Sequence, residues 1–433
     1  MAVGVLTRPR ALRPLRRRGY RLLVGSVAAS LTATGMWLVA VTWQVIDLGG
    51  GPSDLSVTAA AYSAGLLAAV LLGGLAADRR SKRAVLISAE AVRVATALAV
   101  GVLSLTGSLR MWQLAVAAVL VGAAEAFYYP AYSALVPVLL PAEELLAANG
   151  VEAALRPAAE RAVGPAIAGG VVAAFSPGLA VLTAAAGWLL ALLPLLGLRV
   201  PAGSSPDGSG RGSVLRGLAE GFGFLFRTRW LAATLCYASA WALTVLGPVE
   251  VLLPFAVRDR VGGGPSAYAL VLASFGLASA LGSLAVASWR LPRRYLTTLL
   301  LLWGLGITPL AAFGLTEHVA VMVVAAAVVG FTDAIAMVIW GTLLQRRVPP
   351  HLLGRVSSLD FFVSLTLMPV SMALAGPVGE TIGLTAAFVV AAAVPAVAAP
   401  LTILVWRLHR DEVAHPLDRT EDTDRAPAAT AGS

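Results

Sequence analysis

The sequence predicts an all-α membrane protein with twelve transmembrane helices in two pseudo-symmetric six-helix bundles. Hydrophobic residues make up 58% of the 433 residues and charged residues only 13%, whereas a soluble globular chain is about 45–50% apolar and about 25% charged. Apolar runs of about 20 residues recur along the whole chain. They lack the alternating pattern of a membrane β-barrel, so we expect helices to be the spanning elements.

Hydropathy along the chain predicts twelve separate spans. In chain order they are 20–46, 55–77, 84–106, 112–138, 152–175, 178–198, 230–257, 266–288, 295–315, 319–343, 356–379 and 383–407. The first span follows an arginine-rich segment that ends at Arg21, and its apolar run is longer than that of a cleavable signal peptide. We therefore expect this span to be retained.

The basic residues alternate between the two sides of the predicted membrane. One set of connections holds nearly all of them, including Arg156 and Arg161, which we assign to the inner side. The other set holds only Arg110, Arg258 and Arg260. By the positive-inside rule this asymmetry places both termini in the cytoplasm and requires an even number of spans. The arginine-rich, nearly lysine-free composition suggests the plasma membrane of a bacterium.

The connection 199–229 divides the predicted chain into two halves. It begins with a flexible segment rich in Gly, Ser and Pro, and 214–226 suits a short amphipathic helix on the membrane surface. We therefore expect an N-terminal bundle over 1–198, a cytoplasmic linker over 199–229 and a C-terminal bundle over 230–410. The polar tail 411–433 is predicted to be disordered.

The two halves show a weak internal repeat. Residues 134–150 are similar to 342–358 at an offset of 208 positions. The pair Gly164-Pro165 is matched by Gly376-Pro377 at an offset of 212. Chance similarity between apolar sequences is the alternative explanation. A duplicated six-helix unit predicts a substrate site between the halves, near the middle of the membrane.

Several function classes find no support in the residues. The chain has one cysteine, Cys236, and four scattered histidines, so we expect no disulfide framework, metal site or cofactor. It lacks the glycine-rich phosphate-binding motif that ATP-driven transport requires. The basic residues are dispersed, which argues against nucleic-acid binding. No polar catalytic cluster is apparent, so an enzyme is not expected.

A charged cluster between spans 2 and 3 resembles the loop signature of the major facilitator superfamily, G-x-x-x-D-R-x-G-R-R/K. The matching residues are Gly74, Asp78, Arg79, Lys82 and Arg83, and Ser81 stands where the family usually has glycine. Segments 126–150 and 345–359 are similar to signatures of the enterobactin-exporter-like and macrolide-efflux-like subgroup. The resemblance covers nearly the whole chain.

The resemblance implies a gate on the cytoplasmic side. In the family the loop aspartate lies near the start of span 11, where the partial positive charge of a helix N-terminus stabilises a carboxylate by about 0.3–1 kcal/mol. Asp78 and Arg79 would then join the two halves, and Asp360 is a further gating or helix-capping candidate. Lys82 and Arg83 either belong to this gate or bind anionic lipid and fix topology.

Span 5 is similar to a second family signature, the antiporter motif G-P-x-x-G-G. Gly164, Pro165 and Gly169 match it, and Ala168 replaces one glycine. The motif accompanies export, although close packing by small residues would also explain it. Ala118 stands where proton antiporters of the family often carry arginine, so proton coupling cannot be inferred through that position.

Charged residues also occur inside the predicted spans. Glu90 and Arg93 are three residues apart and are expected to pair. A charge in mid-span costs roughly 2.5–3.5 kcal/mol, so the other acids are expected to face a cavity or a partner. The candidates for substrate or proton binding are Glu125, Asp333, Glu250, Tyr128, Tyr129, Trp37, Gln44 and Trp241. Buried helix contacts are the alternative for the acids, and core packing or lipid contact for Trp37, Gln44 and Trp241.

Together, residues and resemblance predict a secondary active transporter of the lipid bilayer. We expect a monomer that exports an amphipathic small molecule, a drug or antibiotic, by alternating access with protons as the coupling ion. Siderophore export by the same fold is the alternative, and a channel or receptor is a more distant one. Nothing in the sequence identifies the substrate.

Overall fold

A computed structural model describes residues 13–77, 81–198, 223–225, 227–287 and 291–417. The described residues form helices joined by short turns and contain no strand. Asp78 and Arg79 lie outside them, as do 199–222 of the linker. Of the surface helix expected at 214–226, only 223–225 are described, and they are helical.

Six helices make up the N-terminal half. They are α1 (Arg18–Asp47), α2 (Pro52–Ala77), α3 (Lys82–Leu105), α4 (Met111–Leu139), α5 (142–174) and α6 (Pro177–Gly197). Helix α5 is α-helical over Ala142–Ala158 and Gly164–Ala174, with a π-helical turn at Ala159–Val163 between these parts. Such turns insert a residue into the helical register and occur often at functional sites.

The C-terminal half contains α7 (Arg229–Val261), α8 (Pro265–Ala287), α9 (Tyr295–Leu315) and α10 (Val319–Arg347). A continuous helical stretch, Pro350–Val405, follows, but Gly383 within it has φ 84°. Glycine adopts this left-handed conformation without steric penalty. Gly383 thus separates α11 (350–382) from α12 (384–405).

Contacts with α7 show that the chain reverses direction at Gly383. Ser371 and then Gly379 of α11 contact Leu243 and then Leu252, so α11 advances along α7 in the same direction. Pro395 of α12 accepts a hydrogen bond from the Tyr237 hydroxyl, so the chain after Gly383 runs back along α7. Ten helical stretches of the described residues are long and apolar enough to cross a membrane. One of them contains this reversal and counts twice, and α5 adds another crossing when its three parts are combined. The twelve predicted spans are therefore all present as helices.

Helices α1–α6 pack mainly on one another, as do α7–α12, and equivalent helix pairs meet in the same way. In the first half α4 approaches α2 at Gly122, where a Cβ atom would collide with the Tyr62 carbonyl. In the second half α10 approaches α8 at Gly330, where a Cβ atom would collide with the Phe275 carbonyl. Positions 122 and 330 differ by the repeat offset of 208, so the weak sequence repeat corresponds to repeated packing.

The hydrophobic cores differ at the two ends of the helices. At the end away from the termini, here called the far side, one core contains residues of both halves, such as Val41 and Val45 with Val257 and Phe313. At the end that carries both termini, the termini side, each half has its own core. The N-terminal one includes Tyr20, Leu135 and Leu195, and the C-terminal one includes Trp230, Tyr295 and Leu343. Among the side chains that the structure describes, the halves are therefore packed together mainly on the far side.

Polar contacts between α2 and α11 reinforce this far-side closure. The Ser53 backbone N–H and hydroxyl donate to the Glu380 carboxylate at 2.9 and 2.6 Å. The Gly376 N–H donates to the Ser56 hydroxyl at 2.6 Å. A Cβ atom on Gly376 would collide with the Pro52 carbonyl, so glycine is what allows the two backbones to meet.

A short helix, α13 (Leu408–Ala414), follows α12. Its Glu412 is buried and accepts hydrogen bonds from the N–H groups of Leu296 and Thr297, at 2.9 and 3.0 Å, at the start of α9. Carboxylates satisfy the free N–H groups of a helix N-terminus. The disorder expected from residue 411 is therefore wrong for 411–414, and 418–433 lie outside the described residues.

Candidate functional site

A buried charged triad lies inside the N-terminal half. Arg93 of α3 pairs with Glu90, one turn earlier, at 3.6 Å, and with Glu125 of α4. Its guanidinium also donates to the Ser30 hydroxyl of α1 at 3.0 Å. Glu90 and Arg93 are both 0% exposed. The predicted Glu90–Arg93 pair is confirmed, and Glu125 joins it from the neighbouring helix.

Aromatic rings surround the guanidinium of this triad. Its Cζ atom lies 4.9 Å from the centre of the Tyr128 ring and 5.9 Å from that of Trp188, within the range of cation–π attraction. Both carboxylate oxygens of Glu90 are buried without a hydrogen-bond partner in the described structure. Two acids thus share one cation, in an environment where an unpaired charge is costly.

The equivalent place in the C-terminal half holds an acid without its own cation. Asp333 of α10 lies 208 positions after Glu125 and accepts a hydrogen bond from the Trp303 indole of α9 at 3.2 Å. Trp303 of α9 thus contacts Asp333 as Arg93 of α3 contacts Glu125. Its ring lies between Tyr237 and Trp340, with centroid distances of 6.5 and 6.3 Å. This half thus supplies Asp333 with a neutral donor.

An ion pair connects the two halves near these acids. Arg161, in the π-helical turn of α5, lies 3.5 Å from Glu250 of α7, and Glu250 lies in a π-helical stretch of its own, Pro248–Leu252. The Arg161 guanidinium also lies 5.3 Å from the centre of the Phe275 ring of α8. Both partners of this inter-half contact stand where the regular α-helical register is interrupted.

The assignment of Arg161 to an inner connection is therefore wrong. Helix α5 begins at Ala142, ten residues before the predicted start, because its first turns are helical but too polar to register as apolar. Arg161 consequently lies about 28 Å along the helix at 1.5 Å per residue. The signal that could have shown this is Pro141 followed by Glu143 and Glu144, a typical helix start.

A cavity of about 150 Å³ opens beside this ion pair. Its polar wall consists of Arg161, Glu250 and Asp333, so one cation faces two acids. Its apolar wall includes Trp241 and Phe313 with aliphatic residues of α7, α8, α9 and α10. The buried indole N–H of Trp241 has no hydrogen-bond partner in the described structure. Such a cavity suits an apolar molecule with one positive charge.

Other candidates from the sequence lie elsewhere in the N-terminal half. Trp37 packs against Trp188 with ring centres 5.7 Å apart, and Gln44 accepts a hydrogen bond from the Ser104 hydroxyl at 2.6 Å. Both are buried in the protein core. These contacts fit core packing, the alternative named for the two residues, and their role in substrate binding stays a prediction.

The adjacent tyrosines of α4 point in different directions. Tyr128 is buried beneath the triad arginine. Tyr129 is 46% exposed, and the centre of its ring lies 5.1 Å from the guanidinium carbon of Arg156. Arg156 in turn bridges Glu152 and Glu160 of its own helix at 3.4 and 3.7 Å. Tyr128 therefore belongs to the triad, whereas Tyr129 belongs to a separate surface of α4 and α5.

The described part of the loop signature makes contacts within one half. Ser81 caps α3 by accepting a hydrogen bond from the Ala84 N–H at 3.2 Å, a role for which serine is favoured and which explains its presence in place of glycine. Lys82 begins α3. Arg83 donates to the carbonyls of Leu195 and Leu196 at 2.8 and 2.7 Å, at the end of α6.

The gate itself stays a prediction. Gly74 lies in α2, near its end, but Asp78 and Arg79 lie outside the described residues. On the C-terminal side, Asp360 of α11 accepts a hydrogen bond from the Trp340 indole of α10 at 3.1 Å. This contact holds Asp360 within its own half.

The residues that resemble the antiporter motif lie where α5 contacts α1 of its own half and α8 of the C-terminal half. A Cβ atom on Gly164 would collide with the Thr32 carbonyl of α1. A Cβ atom on Gly169 would collide with Ala269 of α8. Pro165 lies against Gly35 of α1. The small residues thus allow the close approach that the motif predicts, within one half at Gly164 and between halves at Gly169.

Fold and site together define a membrane transporter of the major facilitator superfamily. The fold matches that of a mutant form of the nucleoside transporter NupG, with a TM-score of 0.73, 12% identity and coverage of 88% of this chain and 99% of that one. The family model described as transmembrane secretion effector matches residues 10–424. The chain therefore belongs to that family.

Named relatives narrow the class to efflux carriers. The chain is 30% identical over 385 residues to the multidrug efflux pump Tap of Mycolicibacterium fortuitum, covering 86% of this chain and 92% of that protein. It is 23% identical over 370 residues to macrolide efflux protein A of Streptococcus pyogenes, covering 84% and 90%. The predicted resemblance to the efflux subgroup is confirmed.

Proposed function

We propose that this protein is a proton-coupled secondary carrier of the bacterial plasma membrane that exports amphipathic drugs by alternating access. The termini side is the cytoplasmic side, as the distribution of arginines indicates. The relatives named as multidrug and macrolide efflux pumps support drugs as the substrate class. The contrast between the two ends of the molecule carries the rest of the proposal.

That contrast is what an inward-facing carrier requires. One apolar core joins the halves on the far side, while two separate cores lie on the termini side. Rocking the halves about the central cavity would exchange these arrangements and expose the cavity to the exterior. Arg161 and Glu250 join the two halves at the wall of the charged cavity. In this state the substrate would reach the cavity from the cytoplasm.

The buried triad is the proposed proton site. With Glu90, Arg93 and Glu125 all ionised it carries one net negative charge inside the membrane, which is unfavourable. A proton on either acid removes that charge. Glu125 is the acid that protons can reach, because its side chain is 20% exposed whereas that of Glu90 is completely buried. Proton uptake at Glu125 weakens its ion pair with Arg93 and so links protonation to the packing of α3 against α4.

Transport of a labelled macrolide into inside-out vesicles tests this function. The vesicles come from a pump-deficient strain that expresses the protein. We expect saturable uptake driven by an acid-inside pH gradient and abolished by a protonophore. Glu125→Gln should reduce the pH-driven accumulation by at least about tenfold while substrate exchange continues, because exchange requires no net proton movement.

Glu143→Gln is the matched control, since Glu143 is an exposed acid in the first turn of α5. Uptake that persists unchanged after the gradient is collapsed would refute proton coupling. A labelled siderophore measured in the same vesicles tests the alternative substrate class. Flux that neither saturates nor shows exchange would indicate a channel.

A further inference from the structure

The described cavity is lined by the C-terminal half except at Arg161, and its charges are incomplete without that residue of the N-terminal half. Glu250 and Asp333 both belong to the C-terminal half, and the described cavity wall contains no lysine or arginine of that half. The cation is Arg161, which reaches the cavity from α5 of the N-terminal half. The positive charge in this cavity therefore crosses the interface that must rearrange during transport.

Arg161 is held in a way that permits its release. Its contact with Glu250 is a single 3.5 Å approach rather than a two-point pair, and its side chain is 39% exposed. Both residues lie in π-helical segments. A guanidinium with this exposure can leave its partner without being buried unpaired. The triad arginine, 1% exposed and bound to two acids, is held in the opposite way.

The rest of the cavity offers the other features that an organic cation requires. Phe275 and Phe313 present aromatic faces, and Phe275 already binds a cation in the form of the Arg161 guanidinium. The unpartnered indole N–H of Trp241 provides a donor for an acceptor group on a bound molecule. An apolar molecule with one positive charge would find aromatic contact, a carboxylate and a hydrogen-bond donor together.

We propose that Arg161 occupies, in the empty carrier, the position that the charge of a monocationic amphipathic substrate takes on binding. The substrate exchanges with Arg161 at Glu250 and Asp333. This exchange breaks the ion pair between α5 and α7 and so frees the halves to move relative to each other. The inference rests on the proposed export function and adds to it the charge of the substrate and the residue that the substrate displaces.

Equilibrium binding of tetraphenylphosphonium to the purified full-length protein in nanodiscs tests this exchange. Removing an internal competitor raises apparent affinity by the inverse of the fraction of free sites, so Arg161→Met should bind the probe about tenfold more tightly. Arg161→Lys keeps a cation and should stay within about threefold of wild type. Glu250→Gln and Asp333→Asn should each weaken binding about tenfold.

Two controls isolate the cavity charge. Arg156→Met removes an arginine from the same helix that lies outside the cavity wall, and it should leave probe affinity within about twofold. Neutral triphenylphosphine oxide should bind Arg161→Met and wild type equally. If Arg161→Met does not fold, Arg161→Gln removes the charge while keeping a hydrogen bond to Glu250, and the same gain in affinity is expected.

Unchanged or weaker probe binding in the charge-removing variants would overturn the inference and leave Arg161 as a structural link between the halves. This result is distinct from failure of the proposed function. If the vesicles show no export but the variants change probe binding as expected, the proposed function is refuted and the cation site is supported. If export proceeds but probe affinity does not depend on Arg161, only the proposed exchange is refuted.

Discussion

The two halves of this carrier neutralise equivalent acids in opposite ways. Glu125 and Asp333 occupy repeat-related positions on α4 and α10, yet Glu125 pairs with Arg93 of its own half, whereas Asp333 accepts a hydrogen bond from the neutral indole of Trp303. The N-terminal half thus contains its own counter-charge. In the described cavity wall the C-terminal half supplies no cation, and Arg161 of the N-terminal half provides it. The repeat has preserved the packing of the helices and not the charge balance between them.

The largest expected effect on stability follows from removing Arg93, the counter-charge of the N-terminal half. Arg93→Leu leaves Glu90 and Glu125 buried without a cation, and removing one partner of a buried pair destabilises by about 3–5 kcal/mol. The free energy of unfolding in mixed detergent micelles measures this loss. Arg156→Leu, which removes a partly exposed arginine, is the control and should lower stability by about 1 kcal/mol or less. Equal losses in the two variants would show that the triad is no more important to folding than a surface pair.

A smaller effect on stability is expected from replacing Trp303, the neutral donor of the C-terminal half. Trp303→Phe keeps a ring between Tyr237 and Trp340 but leaves Asp333 without its indole donor, which should lower stability by about 1–3 kcal/mol. The same unfolding measurement applies. Trp43→Phe removes an indole whose N–H is buried without a partner in the described structure, so it matches the change in size without the hydrogen bond. Equal effects of the two substitutions would mean that the Trp303–Asp333 hydrogen bond contributes nothing.

The smallest effect is expected at Tyr128. Its hydroxyl is buried and has no hydrogen-bond partner in the described structure, while its ring contacts the triad arginine. Tyr128→Phe keeps the ring and removes the unpaired hydroxyl, so stability should change by less than about 0.5 kcal/mol, or increase. The thermal midpoint of the purified protein is a sufficient measurement. A loss above about 1 kcal/mol would reveal a hydrogen bond to that hydroxyl.

Much of this comparison between the two halves could be predicted from the sequence. The twelve spans follow from hydropathy, because only long apolar helices satisfy their backbone groups in lipid. The repeat offset of 208 relates Glu125 to Asp333, and the spacing of Glu90 and Arg93 places them on one helix face. The addition of Glu125 to that pair could not be predicted, since it depends on how α3 rotates against α4.

The inter-half ion pair was missed for a local reason. Arg161 lies far inside α5, but hydropathy detects only the apolar part of that helix and so places its start too late. The π-helical turn adds to the difficulty, because it rotates the residues that follow relative to a regular helix. Arg161 and Glu250 are also 89 positions apart, and nothing in a single sequence links positions so distant.

The hydrogen bonds of Arg83 have a mechanical consequence. They fasten the beginning of α3 to the end of α6, so this end of α3 cannot shift without carrying the sixth helix along. A displacement of this end of α3 is therefore transmitted directly to α6.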